Sequence, residues 1–234
     1  MTLSTQPRLA LIHSPLVGPS SWRLTERAIH QAGGAALAVD YGGVAGPDWY
    51  AGATARIAAH LVGEQRIVVV AHSGAGAFLP GLVDALGDRL IGPILADAVM
   101  PYPGRCWFDT AAPELCERVR GLESDGVLPP WDTWWGPDAM TRLIQDEAMR
   151  AAFIADLPRL PLAYFEARAP AGDGWRTKPG AYLQLSEACA EDAQAARGLG
   201  WLVRREALHH LAMLTHPDRL AAILMSMARE LAAD

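Results

Sequence analysis

Residues 66–75, Arg66-Ile67-Val68-Val69-Val70-Ala71-His72-Ser73-Gly74-Ala75, decide how this chain folds. An unbroken apolar, β-branched run is the mark of a parallel strand buried on both faces. The run stops at Ser73, where Ala71, Gly74, Ala75 and Gly76 leave the small volume that a sharp turn needs. A helix-like stretch follows over 74–86. Strand, tight turn and helix in this order hold one hydroxyl proud of a sheet beside a helix N-terminus, the form called a nucleophile elbow. The usual pattern is G-x-S-x-G, and here alanine stands for both outer glycines, at Ala71 and Ala75. Serine is also a favoured helix N-cap, so this stretch alone leaves capping and nucleophilic roles open.

Working outward, strand-like runs alternate with helix-like ones. Residues 8–13 and 35–40 read as strands, with helices over 20–32 (capped by Ser20 or Ser21) and 48–62. After the strand at 66–72 and the helix at 74–86, a fourth strand over 90–96 ends at Asp97. Strands at 180–186 and 201–205 follow, with helices at 190–197 and 217–232. The alternation predicts an α/β fold, a mainly parallel six-stranded sheet with helices on both faces.

Residues 101–179 break the rhythm. They hold Pro101, Pro103, Pro129, Pro130, Pro137, Pro158 and Pro161, with helix-like pieces at 112–121 and 137–155. Five of the eight tryptophans lie there: Trp107, Trp131, Trp134, Trp135 and Trp175. The expectation is a core of 1–100 and 180–234, with 101–179 inserted as a helical lid over the carboxyl edge of the sheet. Open α/β sheets bind ligands at that edge. Most of the tryptophans are expected to pack the insertion onto the body.

Bulk properties narrow the function classes. A net charge of −6, a pI near 5.6 and no basic stretch argue against a nucleic-acid partner. The first residues lack a signal-peptide layout, and no apolar run reaches the ~20 residues that span a bilayer. Cys106, Cys116 and Cys189 are an odd count with no C-x-x-C, which predicts reduced thiols in a cytoplasm and no metal site. No cofactor is expected. The expected partner is a small-molecule substrate, with a homodimer left open.

The second informative stretch is Ala207-Leu208-His209-His210-Leu211-Ala212-Met213-Leu214, between the last strand and an amphipathic helix starting near Pro217. A histidine there lies over the same sheet edge as Ser73. With the loop at His13, the elbow, the insertion and this terminal H-L-A-M-L, the chain resembles the α/β-hydrolase superfamily over nearly its whole length. The order serine, acid, histidine is the one that fold uses. The resemblance implies His210 as general base, since in smaller members the base precedes such an apolar run. His209 then flanks it, and His72 and His216 are structural.

The resemblance offers two places for the acid. Relatives usually carry it after the strand read here at 180–186, where Ala188 fills the slot and Glu187 stands beside it. Others, haloalkane dehalogenases among them, carry it at the end of the strand after the nucleophile helix, before a small residue and a proline. Ala96-Asp97-Ala98-Val99-Met100-Pro101 has that form. Asp97 is preferred over Glu187, because a charge ending an apolar strand needs a partner to offset its desolvation.

The oxyanion donors follow from the same resemblance. Gly74 supplies one amide. The family's first loop reads His-Gly-x, with the amide of x in the hole, but here it reads His13-Ser14-Pro15-Leu16, and proline has no N–H. Either Leu16 supplies the amide or the Ser14 side chain serves. The implied activity is a cofactor-independent serine hydrolase acting on an ester, lactone or thioester of a small, fairly apolar molecule. The alternative keeps the pocket without hydrolysis: a lyase, cyclase or dehydratase in which Ser73, His210 and Ser14 move protons. Hydroxynitrile lyases likewise carry a hydroxyl residue where Ser14 stands. A non-catalytic binder is the third reading, and the joint presence of Ser73, His210 and an acid speaks against it.

Overall fold

The computed structural model describes residues 6–44, 46–136 and 138–233. Six apolar runs become the strands β1 (Arg8–Ile12), β2 (Ala35–Val39), β3 (Ile67–His72), β4 (Leu90–Ala96), β5 (Ala181–Gln184) and β6 (Leu202–Arg205). They form one sheet in the order β2-β1-β3-β4-β5-β6, with every pair parallel. The chain steps from β1 to β2 on one side and then returns to β3 on the other. That reversal opens a crevice at the carboxyl ends of β1 and β3, where such sheets bind ligands.

Helices cover both faces. In chain order they are α1 (Arg23–Gln31), α2 (Trp49–His60), α3 (Leu79–Leu86), α4 (Pro113–Leu122), α5 (Ala139–Leu143), α6 (Glu147–Ala155), α7 (Leu162–Glu166), α8 (Ala190–Gly198), α9 (Ala212–Thr215) and α10 (Pro217–Leu231). Side chains alternate across a strand, so β3 serves two cores. Val69 and Ala71 face α2, α3 and α8, while Val68 and Val70 face α1 and α10. All six residues of β3 are buried, which explains its uninterrupted apolar run.

Four local differences from the sequence expectation have physical causes. The helix expected from 74 begins as a 3₁₀ segment, Ser73–Phe78, and becomes α-helical only at Leu79. Pro80 has no N–H to give the carbonyl of Gly76, and Gly76 is pressed so close to the chain leaving β4 that a Cβ there would lie 1.9 Å from the Val99 carbonyl oxygen. The helix expected over 137–155 is two, α5 and α6, because Asp146 caps α6 by accepting the Met149 N–H at 2.7 Å; Pro137 lies outside the described residues. The strand expected to run to 186 ends at Gln184, since the amides of Leu185 and Ser186 turn onto Asp97. Near the N-terminus, neither Ser20 nor Ser21 caps a helix: a 3₁₀ turn over Pro19–Trp22 leads into α1, and Ser21 Oγ donates to the Gly18 carbonyl at 2.8 Å.

The excursion between β4 and β5 carries α4 to α7. Trp107 and Trp134 pack on Phe165, with centroids 5.1 and 5.8 Å away. Trp175 instead lies in the body, edge-on to Trp201 at 6.0 Å, and Trp135 is exposed beneath the Arg118 guanidinium. Among the described residues no helix is long and apolar enough to cross a membrane. The three cysteines are unbridged.

Candidate active site

Ser73 stands at the end of β3 with φ +54°, left-handed backbone that costs an L-residue about 1–2 kcal/mol. Its carbonyl accepts the Val99 N–H at 3.1 Å, and the close approach of Gly76 to Val99 holds the same turn. The strained turn lifts the Ser73 hydroxyl off the sheet, where Oγ lies 3.0 Å from His210 Nε2. The other ring nitrogen of His210, Nδ1, lies 2.8 Å from Asp97 Oδ2. The loop between β6 and α9 carries His210, and Asp97 ends β4.

Asp97 has no exposed surface, and its backbone is also left-handed, φ +48°. Its carboxylate is fully engaged. Oδ1 accepts the N–H groups of Leu185 at 2.8 Å and Ser186 at 2.9 Å, and Oδ2 accepts the Ser186 hydroxyl at 2.6 Å beside His210. Burial pushes its pKa up, but the bonds from His210, Ser186 and Leu185 outweigh burial and bring it down to about 2. An ionised carboxylate can only accept, so the proton of a neutral His210 sits on Nδ1. Nε2 is left with a lone pair facing the Ser73 hydroxyl.

The structure separates the two acid candidates. Glu187 lies at the surface with its side chain 75% exposed and paired with Arg205 at 2.7 Å, while His210 Nδ1 is bonded to Asp97. Among the histidines, His209 Nε2 and His216 Nδ1 lie 2.8 and 2.9 Å from the hydroxyl of Thr215 at the end of α9. His72 does more than the sequence suggested. It is fully buried, its Nε2–H donates to the His210 carbonyl at 2.9 Å, and the two rings lie 4.5 Å apart. Burial, reinforced by the neighbouring His210, holds its pKa well below the usual histidine value, so it stays neutral. Nothing in the sequence around 72 indicates this contact, because its partner lies 138 residues away.

The first loop is built by His13, which stacks on Tyr41 at 4.3 Å and donates through Nδ1 to the Ser14 carbonyl at 2.8 Å. The Leu16 amide donates to Ser14 Oγ at 3.3 Å. Of the two candidates for the donor missing at Pro15, the Leu16 N–H is therefore already turned onto Ser14. The Ser14 hydroxyl accepts that bond and keeps its own proton to give. A Cβ placed on Gly74 would lie 3.3 Å from Pro15 Cδ and 3.5 Å from Ser14 Oγ, so this loop is pressed against the elbow.

Asp97, Cys189 and His210 bring metal-ligand atoms within 4.8 Å of one another. They make a poor cation site. The carboxylate oxygens are taken by four donors, and burial together with Asp97 and Asp192 pushes the Cys189 thiol up to about 12, far from the thiolate a metal needs.

Two cavities lie nearby. A cleft of about 190 Å³ opens between His13, Pro15 and Trp49 on one side and Leu160 and Pro161 of the inserted segment on the other. A larger groove of about 710 Å³ runs between α2, α3 and α7, and neither space is lined by Ser73, Asp97 or His210.

No family model matches the sequence, and no curated protein matches it significantly. Solved structures do match. An extracellular α/β-hydrolase from a Paenibacillus species superposes with a TM-score of 0.78 at 16% identity, over 94% of this chain and 98% of that one. Tomato methylketone synthase I, complexed with 2-tridecanone, matches with a TM-score of 0.69 at 16% identity, over 96% and 98% of the two chains. A pyrethroid hydrolase from Sphingobium faniae matches with a TM-score of 0.68 at 17% identity, over 95% and 97%. Strand order, parallel pairing and these end-to-end matches agree: the chain has the α/β-hydrolase fold.

Proposed function

We propose that this protein is a serine hydrolase that cleaves an ester, lactone or thioester of a small, fairly apolar molecule. The observation that carries the reading is the hydrogen-bonded line from Ser73 Oγ to His210 to Asp97, at 3.0 and 2.8 Å, ending on a carboxylate that stays ionised. Ser73 Oγ attacks the acyl carbon while His210 Nε2 takes its proton. Asp97 holds the imidazole tautomer and stabilises the imidazolium. The carbonyl oxygen, now an oxyanion, accepts from the Gly74 N–H and the Ser14 hydroxyl. His210 gives its proton to the leaving group and then activates water, which releases the acid and restores Ser73.

The 101–179 segment acts as a lid in this reading. In this reading the substrate approaches along the cleft beside Pro15, whose Tyr41, Trp49 and Leu160 walls suit an apolar group. The Sphingobium neighbour is named as a hydrolase, in keeping with this chemistry. A fluorophosphonate probe is expected to label the wild-type protein and not Ser73→Ala, and short-chain p-nitrophenyl esters to turn over with a burst. Absence of labelling overturns the reading.

One observation favours a second reading in the same pocket. Pro15 removes an amide from the oxyanion loop and Ser14 offers a hydroxyl instead. That exchange suits a lyase, cyclase or dehydratase in which Ser73, His210 and Ser14 transfer protons without an acyl intermediate. Labelling of Ser73 with no turnover of any activated ester selects it.

A further inference from the structure

The Pro15 loop leaves a gap in the oxyanion site, and a second element of the chain reaches the same place. Tyr164, on α7 of the inserted segment, is 1% exposed. Its ring is wedged between Trp49, at 4.6 Å, and Phe165, at 4.7 Å. Its hydroxyl oxygen lies 3.2 Å from the position a Cβ would take on Gly74, nearer than Pro15 Cδ at 3.3 Å or Ser14 Oγ at 3.5 Å. Two hydroxyls, one from the first loop and one from α7, thus converge on the residue after Ser73. Gly74 leaves the space between them open, and any larger residue would crowd all three neighbours.

Packing alone does not explain a tyrosine here, because phenylalanine would fill the same aromatic slot. The hydroxyl is also part of a buried series. Tyr50 Oη bonds to Tyr102 Oη at 2.8 Å, and the Tyr50 ring lies 6.0 Å from that of Tyr164, so three phenols cluster beside the elbow. Burial pushes the Tyr164 phenol well above its usual pKa, which keeps it a donor.

We propose that the Tyr164 hydroxyl is a third donor of the oxyanion site, beside the Gly74 N–H and the Ser14 hydroxyl, so that the inserted segment supplies a catalytic residue. The inference rests on the acyl-transfer reading above. It ties the seating of the segment to the chemistry: the site is complete only when α7 is packed down on Trp49.

The test is Tyr164→Phe in the full chain, assayed with p-nitrophenyl butyrate. Loss of one oxyanion donor is expected to lower kcat by about 10²–10³-fold, with KM and thermal midpoint little changed. Affinity for a trifluoromethyl ketone, which forms a tetrahedral oxyanion on Ser73, is expected to fall alongside kcat. Wild-type kcat and ketone affinity in Tyr164→Phe, with Ser73 still labelled by fluorophosphonate, overturn the inference and leave the hydrolase reading standing. No labelling of the wild-type protein overturns the hydrolase reading and this inference with it. Should Tyr164→Phe lose its fold, a polyfluorinated tyrosine at 164 keeps the ring and makes the phenol more acidic. The kcat profile is then expected to fall at alkaline pH where the wild type does not, and superimposable profiles overturn the proposal.

Discussion

His72 donates its Nε2–H to the carbonyl oxygen of His210 across 2.9 Å, so the residue preceding Ser73 grips the backbone of the residue whose ring faces Ser73. The bond links β3 to the loop after β6 and fixes where the imidazole sits. His72→Gln keeps an N–H at similar reach and is expected to retain most activity. His72→Phe keeps bulk but loses the donor, and kcat is expected to fall about 10–100-fold, the scale of a misplaced catalytic group. Equal activity of the two variants would show that the bond does not position His210.

The same histidine gives the protein an acid-sensitive stability. Burial lowers the pKa of both His72 and His13 in the folded state. The unfolded chain therefore binds more protons below pH ~6.5, and stability falls as pH drops, by up to about 1.4 kcal/mol per pH unit for each histidine. Asp97 acts lower. With its pKa held at about 2, it contributes roughly 2 kcal/mol that is full above pH ~4 and is lost toward pH 2. Urea midpoints between pH 7.5 and 5 are expected to decline for the wild type and to decline less for His72→Gln. A profile that is flat in the wild type contradicts this account.

Removing the charge at Asp97 should be far more damaging than removing the one at Glu187. Asp97→Asn places an amide where four donors converge and loses the tautomer control of His210, so kcat is expected to drop by about 10³–10⁴-fold. Glu187→Gln breaks only an exposed pair with Arg205 and is expected to stay within about twofold of wild type. Ester turnover by the two variants decides the matter, and a reversed order would move the acid to the end of β5.

Activity and stability are expected to trade off at Ser73. Glycine adopts φ +54° without strain, so Ser73→Gly is expected to abolish fluorophosphonate labelling while raising stability by about 1 kcal/mol. Thermal or urea unfolding of the variant measures the gain. A destabilised Ser73→Gly would mean that the turn is not strained.

Gly76 supports the same turn from behind. A Cβ there would sit 1.9 Å from the Val99 carbonyl oxygen, whose residue also donates its N–H to Ser73. Gly76→Ala must push β3 and the β4 exit apart, and is expected to cost about 1–3 kcal/mol of stability, the usual scale of overpacking. Unchanged unfolding together with full turnover would show that this approach is dispensable.

Much of this was legible in the sequence because it is local. The apolar run of β3 announced a doubly buried strand, and the small residues after it announced the turn at Ser73. Asp97 could be preferred because an acid that ends an apolar strand must find a partner, and it finds four donors. What escaped depends on contacts between distant segments. The 3₁₀ start of the helix after Ser73 follows from Gly76 meeting Val99, and the early end of β5 follows from amides claimed by Asp97. His72 and Tyr164 gave no local signal: a histidine before a serine and a tyrosine in an aromatic-rich stretch acquire meaning only beside His210 and Gly74.

The carboxylate of Asp97 ties the departure of the chain from β4 to its return at the end of β5, since the residue that leaves the sheet binds the two amides that follow re-entry. The long excursion in between is thus clasped at its neck. Residues 101–179 share their core with the body, through Tyr164 on Trp49 and Trp175 on Trp201, while the clasp keeps Asp97 and His210 in register. A change at either end of the excursion is therefore felt at the imidazole, through a single carboxylate.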